Sequence, residues 1–478
     1  MLRTGYFRQV ILLYILVLSK AFVSPKGRSL TFGESRILLQ SSLSTTDDDV
    51  YTVQILMSDT GGGHRASANA LRDALDVLHP GKFECDIVDI YTEYGPFFPL
   101  NSYPAMYKIM AEYSFLWEYF YNFGETEFGL WLNEFLLDAF CFEPFKECLN
   151  RPSGSTNKRA DMVVSVHPLC QDTPLKILAS LDSDGKSRDL GARKTPFVTV
   201  VTDLGGAHKT WFNKYADKCF VPSDALSEKA ASRGLKEDQI IQHGLPIRKG
   251  FWSVGGNATK SSSKPSGLLG FLSKKSKENV SQLTEKENVR QYLGLDTDLA
   301  TVLLVGGGDG MGGIVDIAEA LATALGKSSD VVSYQMVIVC GSNEKAKQRL
   351  SGKNYGVGVK VAVEGYVNNM DEWMNAADAL VTKAGPGTIA EASICGLPCM
   401  LFAYLPGQEE GNVPYVESNG FGKYSSDPIL IAETVSSWLA TPEKMESMQQ
   451  AARNASRPSA TLDIAKDLAQ IAFDTRQD

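Results

Sequence analysis

Short apolar runs rich in Val and Ile recur along this chain, spaced so that one helix fits between successive runs. That alternation restricts the fold more than any other feature of the sequence. YTVQILMS, FECDIVDI, ADMVVSVH and PFVTVVTD are four buried-strand candidates between Tyr51 and Arg248. Five more follow residue 290: ATVLLVGGGDGMGG, SYQMVIVCG, VKVAVEGYV, ADALVTKAGPGT and LPCMLFAYL. Strands that are apolar throughout and alternate with helices form parallel sheets covered on both faces. Between the two sets lies GGNATKSSSKPSGLLGFLSKKSKENVSQ, rich in Gly, Ser and Lys and without periodicity, which reads as a linker at 255–290. The expected class is therefore α/β with two Rossmann-like domains, at 50–254 and 291–426. Helices at 427–478 follow, able to pack across both.

A length of 478 residues and a 44% hydrophobic composition suit two folded domains with appendages. The formal charge of −9 argues against nucleic acid as a partner, since binding a phosphate backbone needs a basic excess. Eight cysteines are scattered without a C-x-x-C pair, which fits a reducing compartment, and five histidines show no metal-ligand spacing. Residues Tyr91 to Phe142 are compositionally unusual, holding 18 of the 46 aromatic residues. Two readings stay open for them: core packing, or an interfacial surface where Tyr and Trp present one apolar and one wet end.

Glycine-rich turns end several of the strands. SDTGGGHRASANAL leads a strand into a helix through Gly63 and His64, but without the lysine of a nucleotide-hydrolysing P-loop. TKAGPGTIAEASICGLP is the stronger anion site: Gly387, Thr388, Ile389 and Ala390 open a helix whose free amides and dipole favour a diphosphate. Glu391 either closes a capping box with Thr388 or accepts the two hydroxyls of a ribose. LLVGGGDGMGG, with Gly307 and Gly308, repeats the strand-to-glycine geometry. GQEEGNVPYV offers Gln408 and Glu409 to sugar hydroxyls, or is a polar surface loop. A nicotinamide-dependent oxidoreductase would share paired glycine loops, but no clear acidic ribose partner stands near residue 330.

Taken together, SDTGGGHRASANAL, VTDLGGAHKTWF, GLPIRKGFW, LLVGGGDGMGG and TKAGPGTIAEASICGLPCMLFAYLPGQEEGNVPYV resemble the plant-type monogalactosyldiacylglycerol synthases. These are family 28 glycosyltransferases with the two-domain GT-B plan, and the resemblance runs from about Val53 to Gly422. It implies inverting galactosyl transfer from UDP-galactose to 1,2-diacylglycerol; a glucosyl or N-acetylglucosaminyl donor remains the alternative. By position, Gly387 to Glu391 would bind UDP with Glu391 on the ribose, Arg248 would face the diphosphate, and Gln408 and Glu409 the sugar. Gly63, Trp211 and the GPFFPLN segment with Pro96 and Pro99 would meet acceptor or lipid. Lys209, Asp309 and Gly313 depart from the residues usual in the family at those points.

Inversion needs a base for the acceptor proton, and His64 suits that role, with Asp59 as the rival base or as the partner orienting His64. Charge on departing UDP is met by the helix N-terminus and Arg248, and no D-x-D sits in a suitable place, so no cofactor or catalytic metal is expected. Arg3 and Arg8 precede the apolar core Val10–Leu18, too short to span a bilayer, and a basic, hydroxyl-rich stretch follows. Residues 1–49 therefore resemble the signal-plus-transit presequence of proteins sent to complex plastids, with a membrane anchor as the other reading. The expected setting is a plastid envelope membrane, with peripheral attachment, anionic lipids as further partners, and a homodimer left open.

Overall fold

β1 (Tyr51–Met57) is buried at every residue after the first, because the run VQILM carries no charge and lies at the middle of a sheet. The computed structural model describes residues 50–478 apart from 61, 99, 113, 156–157, 188, 253–283, 307–312, 327–332, 357 and 478. The expected presequence, most of the linker, and Pro99, Gly307 and Gly308 lie outside the described residues. With β2 (Phe83–Asp89), β3 (Met162–Ser165), β4 (Phe197–Val200), β5 (Lys218–Val221) and β6 (Ile240–Gln242), β1 forms a sheet in the order β2-β1-β3-β4-β5-β6. Every adjacent pair in it is parallel.

The second sheet contains β7 (Ala300–Val305), β8 (Tyr334–Val339), β9 (Val359–Glu364), β10 (Ala379–Thr382), β11 (Cys399–Leu401) and β12 (Gly422–Tyr424). Its order is β12-β11-β10-β7-β8-β9, again parallel throughout. The architecture is α/β with two Rossmann-like domains. Sequence periodicity reveals nine of these strands and not β5, β6 or β12, which are only three or four residues long.

Each sheet is covered on both faces. Val53, Ile55 and Met57 meet Ala68, Leu71 and Leu75 of the helix Gly63–Leu78 on one side of the first sheet, while Leu56 and Val163 meet Phe145 and Leu178 on the other. The final helix, Ala460–Gln477, inserts Ile464, Leu468 and Ala472 into that first cluster, so the chain end returns to the domain where β1 lies. Arg476 fastens the return, donating to Asp161 Oδ2 at 2.8 Å with its guanidinium 3.9 Å from the Tyr51 ring.

One boundary differs from the expectation. The helix Glu285–Tyr292 begins inside the stretch read as linker. Thr284 and Glu287 cap it reciprocally, the Glu287 backbone N–H donating to Thr284 Oγ1 at 3.3 Å and the Thr284 N–H to Glu287 Oε2 at 2.6 Å. Strand order reverses at β1/β3 and at β7/β10, and in open parallel sheets ligands bind outside the carboxyl ends at those points. The loops after β1, β3 and β10 therefore mark where to look.

Candidate active site

His64 lies in the first turn of the helix that follows β1, entered through Gly62 at φ +74°, a backbone shape that side chains with a Cβ rarely adopt. Its Nδ1 is 2.8 Å from the Val166 carbonyl oxygen, which can only accept, so Nδ1 carries the proton. The Thr202 hydroxyl stands 3.0 Å from the same nitrogen. Nε2 is left with its lone pair, the form a general base needs. Burial lowers the imidazole pKa to about 4, opposed by the Val166 carbonyl and by Asp59. His167, at the end of β3, stacks edge-on against His64 at 4.6 Å, and burial holds it well below the usual range, so both rings are neutral near pH 7.

Asp59 does not orient His64. Its carboxylate is taken by Arg65, whose Nε donates at 2.8 Å to Oδ1 and whose Nη2 donates at 2.6 Å to Oδ2. Both oxygens carry a guanidinium bond, which commits the carboxylate to Arg65. The backbone at Val166 and the Thr202 hydroxyl do the orienting instead. An added Cβ on Gly63 would meet nothing within 4 Å, so this glycine borders open space beside His64.

Trp211 departs from the expected contact with acceptor or lipid, being fully buried. Its indole Nε1 donates to Asp203 Oδ2 at 2.6 Å, and its ring centroid is 6.1 Å from that of His64. Asp203 is 5% exposed. Burial raises its pKa to about 7, with the Trp211 N–H opposing and Glu409 adding to the rise.

The opposite wall is the helix Pro386–Ile394 after β10. Its N-cap is Gly385 with Pro386 first in the helix, so Thr388 is not the cap and the capping-box reading of Glu391 falls. The first-turn amides, among them those of Gly387 and Thr388, have no partner inside the helix and point out of its N-terminus. Gly387 borders open space as Gly63 does, while Ile389 is buried and Ala390 half-buried. Glu391 is buried, and Arg248, reaching it from the segment after β6, donates Nε to Oε1 at 2.7 Å and Nη2 to Oε2. Burial pushes the Glu391 carboxyl upward and the Arg248 guanidinium opposes that.

Gln408 and Glu409 lie in the loop after β11. Glu409 is tied to Lys383, and its Oε2 accepts the Leu405 N–H at 3.0 Å. Gln408 Oε1 accepts from the Tyr107 hydroxyl at 3.1 Å. Trp117 Nε1 donates to the Pro406 carbonyl at 3.0 Å. Tyr107 and Trp117 both belong to the aromatic block, which divides by role. Tyr91 and Phe142 are core, Tyr107 and Trp117 clasp the loop after β11, and a third group is exposed.

That third group forms a ridge. Phe128, Trp131 and Phe135, on one face of the helix Glu127–Phe140, are 50%, 56% and 55% exposed, and their rings stand 5.7 Å apart in sequence. Phe97, next to exposed Pro96, meets Phe140 at 5.3 Å. Among the described residues no helix is long and apolar enough to cross a membrane.

A family model described as monogalactosyldiacylglycerol (MGDG) synthase matches residues 64–247, and the glycosyltransferase family 28 C-terminal domain matches 301–468. Monogalactosyldiacylglycerol synthase 3, chloroplastic, of Arabidopsis thaliana is 36% identical over 426 residues, covering 88% of this chain and 82% of that one. The chain belongs to the monogalactosyldiacylglycerol synthase family. The chloroplastic synthase of Spinacia oleracea is 37% identical over 88% of this chain and 72% of its own length. Membership makes this a glycosyltransferase of galactolipid synthesis, and the oxidoreductase alternative is not favoured. Solved structures overlay loosely: MurG of Acinetobacter baumannii gives a TM-score of 0.48 at 14% identity, over 88% of this chain and 99% of that one. The two-domain assignment stands on the strand order.

In this member of the synthase family the two walls touch through glycines. A Cβ on Gly205 would lie 2.0 Å from the Gly411 carbonyl oxygen, and the Gly205 N–H donates to Asn412 Oδ1 at 2.7 Å. Gly205→Ala is expected to lower kcat/KM by about 5- to 150-fold, the range of an overpacking cost of about 1–3 kcal/mol. Steady-state kinetics beside a thermal melt checks this, and should find lost turnover in a folded protein. Inspection of the sequence alone passes over His167, Thr202, Asp203, Tyr107 and Trp117. The first three stand at or just beyond the carboxyl ends of β3 and β4, and that position is the signal that finds them.

Proposed function

We propose that the chain transfers galactose from UDP-galactose, with inversion, to the free hydroxyl of 1,2-diacylglycerol at a plastid envelope membrane. The observation that carries this reading is a buried His64 whose Nδ1 is held by the Val166 carbonyl, set on one wall, with the open helix start at Gly385–Gly387 on the other. The lipid hydroxyl oxygen attacks the anomeric carbon, its proton passes to His64 Nε2, and the bond from that carbon to the diphosphate oxygen breaks with its electron pair leaving on UDP. The amides at the start of Pro386–Ile394, with Arg248, offset the charge gathering on the diphosphate, so the reading includes no metal. Glu391 accepts the ribose hydroxyls once Arg248 turns to the phosphates.

Peripheral attachment by the Phe128–Trp131–Phe135 ridge, aided by anionic lipid and reached through the presequence, completes the proposal. The deciding experiment supplies purified protein and diacylglycerol vesicles with labelled UDP-galactose, UDP-glucose or UDP-N-acetylglucosamine, with and without EDTA, and separates the products by thin-layer chromatography. Galactolipid from UDP-galactose, undiminished by EDTA, is the expected result. Product from either of the other donors alone would sink the galactosyl reading, and loss with EDTA would sink the metal-free one.

A further inference from the structure

The loop after β11 is held by side chains from both domains. From its own domain, Glu409 Oε1 accepts from Lys383 Nζ at 2.5 Å, and Asn412 Nδ2 donates to the Ala384 carbonyl at 2.8 Å. Those bonds tie Glu409 and Asn412 to the residues just past β10. Pro406, Gly407 and Gln408 meet aromatic side chains from the domain of the first sheet instead. Trp117 Nε1 donates to the Pro406 carbonyl at 3.0 Å, and the Tyr107 hydroxyl donates to Gln408 Oε1 at 3.1 Å. The Tyr121 ring lies on Gly407, where an added Cβ would collide with it, and Gly407 sits at φ +74°. Trp117 and Tyr121, four residues apart on the helix Ser114–Gly124, share one face of it. Tyr107 comes from the helix Tyr103–Glu112 and meets the Trp117 ring edge-on at 4.9 Å. Three aromatic side chains thus fit three consecutive loop residues across the domains.

We propose that Tyr107 and Trp117 are positioning residues for the donor sugar: from the domain of the first sheet they hold Gln408 and Pro406, and so aim the Gln408 amide of the other domain at a hexose hydroxyl. This rests on the reading that Gln408 faces the sugar. The two ends of a glutamine amide differ, and with Oε1 taken by Tyr107 the NH2 is the end that can donate to a hydroxyl. Ordering a long, flexible side chain costs entropy, and a bond made before the donor arrives removes part of that cost from binding. Trp117 acts one step further back, through the backbone two residues before Gln408 and through its edge contact with Tyr107. Sugar recognition then requires both domains in place, and the Gly205 N–H, donating to Asn412 Oδ1 at 2.7 Å, joins them at the far end of the same loop. The nucleotide reading rests on the helix Pro386–Ile394, apart from these aromatics, so the two parts of the donor can be tested separately.

The test uses the full chain as wild type, Tyr107→Phe, Trp117→Phe, Gln408→Ala and the double variant Tyr107→Phe with Gln408→Ala. It measures kcat, KM for UDP-galactose and for diacylglycerol, and the calorimetric Kd of UDP, which lacks the sugar. Tyr107→Phe removes one hydroxyl and keeps the ring, and Trp117→Phe removes the N–H and keeps an aromatic side chain. Each is expected to raise KM for UDP-galactose by roughly three- to ten-fold, the range of one hydrogen bond, with the Kd of UDP and the KM for diacylglycerol within about two-fold. Gln408→Ala should raise that KM at least as far. Adding Tyr107→Phe to it should change little more, since Tyr107 acts through Gln408. A fold loosened by the substitutions would not single out the sugar in this way. If Tyr107→Phe does not fold, Trp117→Phe carries the same comparison, a raised KM supporting the proposal and an unchanged one overturning it. An unchanged KM for Tyr107→Phe beside a raised one for Gln408→Ala, additive effects in the double variant, or an equal rise in the Kd of UDP overturns the positioning role and leaves the sugar-facing reading standing. An unchanged KM for Gln408→Ala overturns both.

Discussion

His64→Ala is expected to lower kcat by about two to four orders of magnitude, the range that a positioned general base contributes, with KM for UDP-galactose moved only a few-fold. The reasoning is geometric. The Val166 carbonyl fixes the Nδ1–H tautomer, so Nε2 is the only nitrogen of that ring able to take a proton. Asp59→Asn should cost far less, because the carboxylate it replaces is already committed to Arg65. If the two variants show the reverse order, Asp59 is the base.

The pH profile gives an independent reading. The active form of His64 is neutral, and burial lowers its pKa from 6.5 to about 4, so the active form persists to lower pH than in an exposed histidine. At saturating donor, kcat should hold from neutral pH past 6.5 and fall only as pH approaches about 4. A fall in kcat centred near 6.5 would mean that the base is solvated and that another group carries the proton.

What the sequence allows to be read divides by the range of the physics involved. Apolar periodicity is local, so β1 and β7 are legible from their own residues, as is the glycine-led helix start at Gly385–Gly387. Roles that depend on a partner far along the chain are not legible. Glu391 offers two equal readings until the helix is seen to start at Pro386, with Arg248 standing beside it from 143 residues away. Trp211 in GGAHKTWF looks like a surface aromatic, and only the fold turns it inward onto Asp203. Asp203 itself lies in VTDLGGAHKTWF, and only the fold shows that it is buried against the Trp211 indole. The linker reading fails at its far end for a local reason: Thr284 and Glu287 form a capping box that starts a helix inside the stretch.

The second large effect expected is on membrane binding. Replacing Phe128, Trp131 and Phe135 together by glutamine should reduce partition into diacylglycerol-containing vesicles by about a thousand-fold. Each of these rings keeps about half of its surface in water. Burying roughly 100 Å² more of each in the bilayer interface is worth about 2.5 kcal/mol per ring, and incomplete insertion brings the combined figure to about 4 kcal/mol. Glutamine preserves helix propensity, and the three positions lie on the outer face of Glu127–Phe140, so the fold and the cleft should survive. Vesicle sedimentation measures the partition, and turnover of short-chain diacylglycerol dispersed in detergent shows that the cleft still works. Vesicles with and without an anionic lipid separate the two contributions: the apolar ridge governs binding in both, while charge attraction fades with salt. A triple variant that sediments like wild type would remove the ridge from the membrane. If that variant instead loses self-association, the ridge is an interface between two copies of the chain.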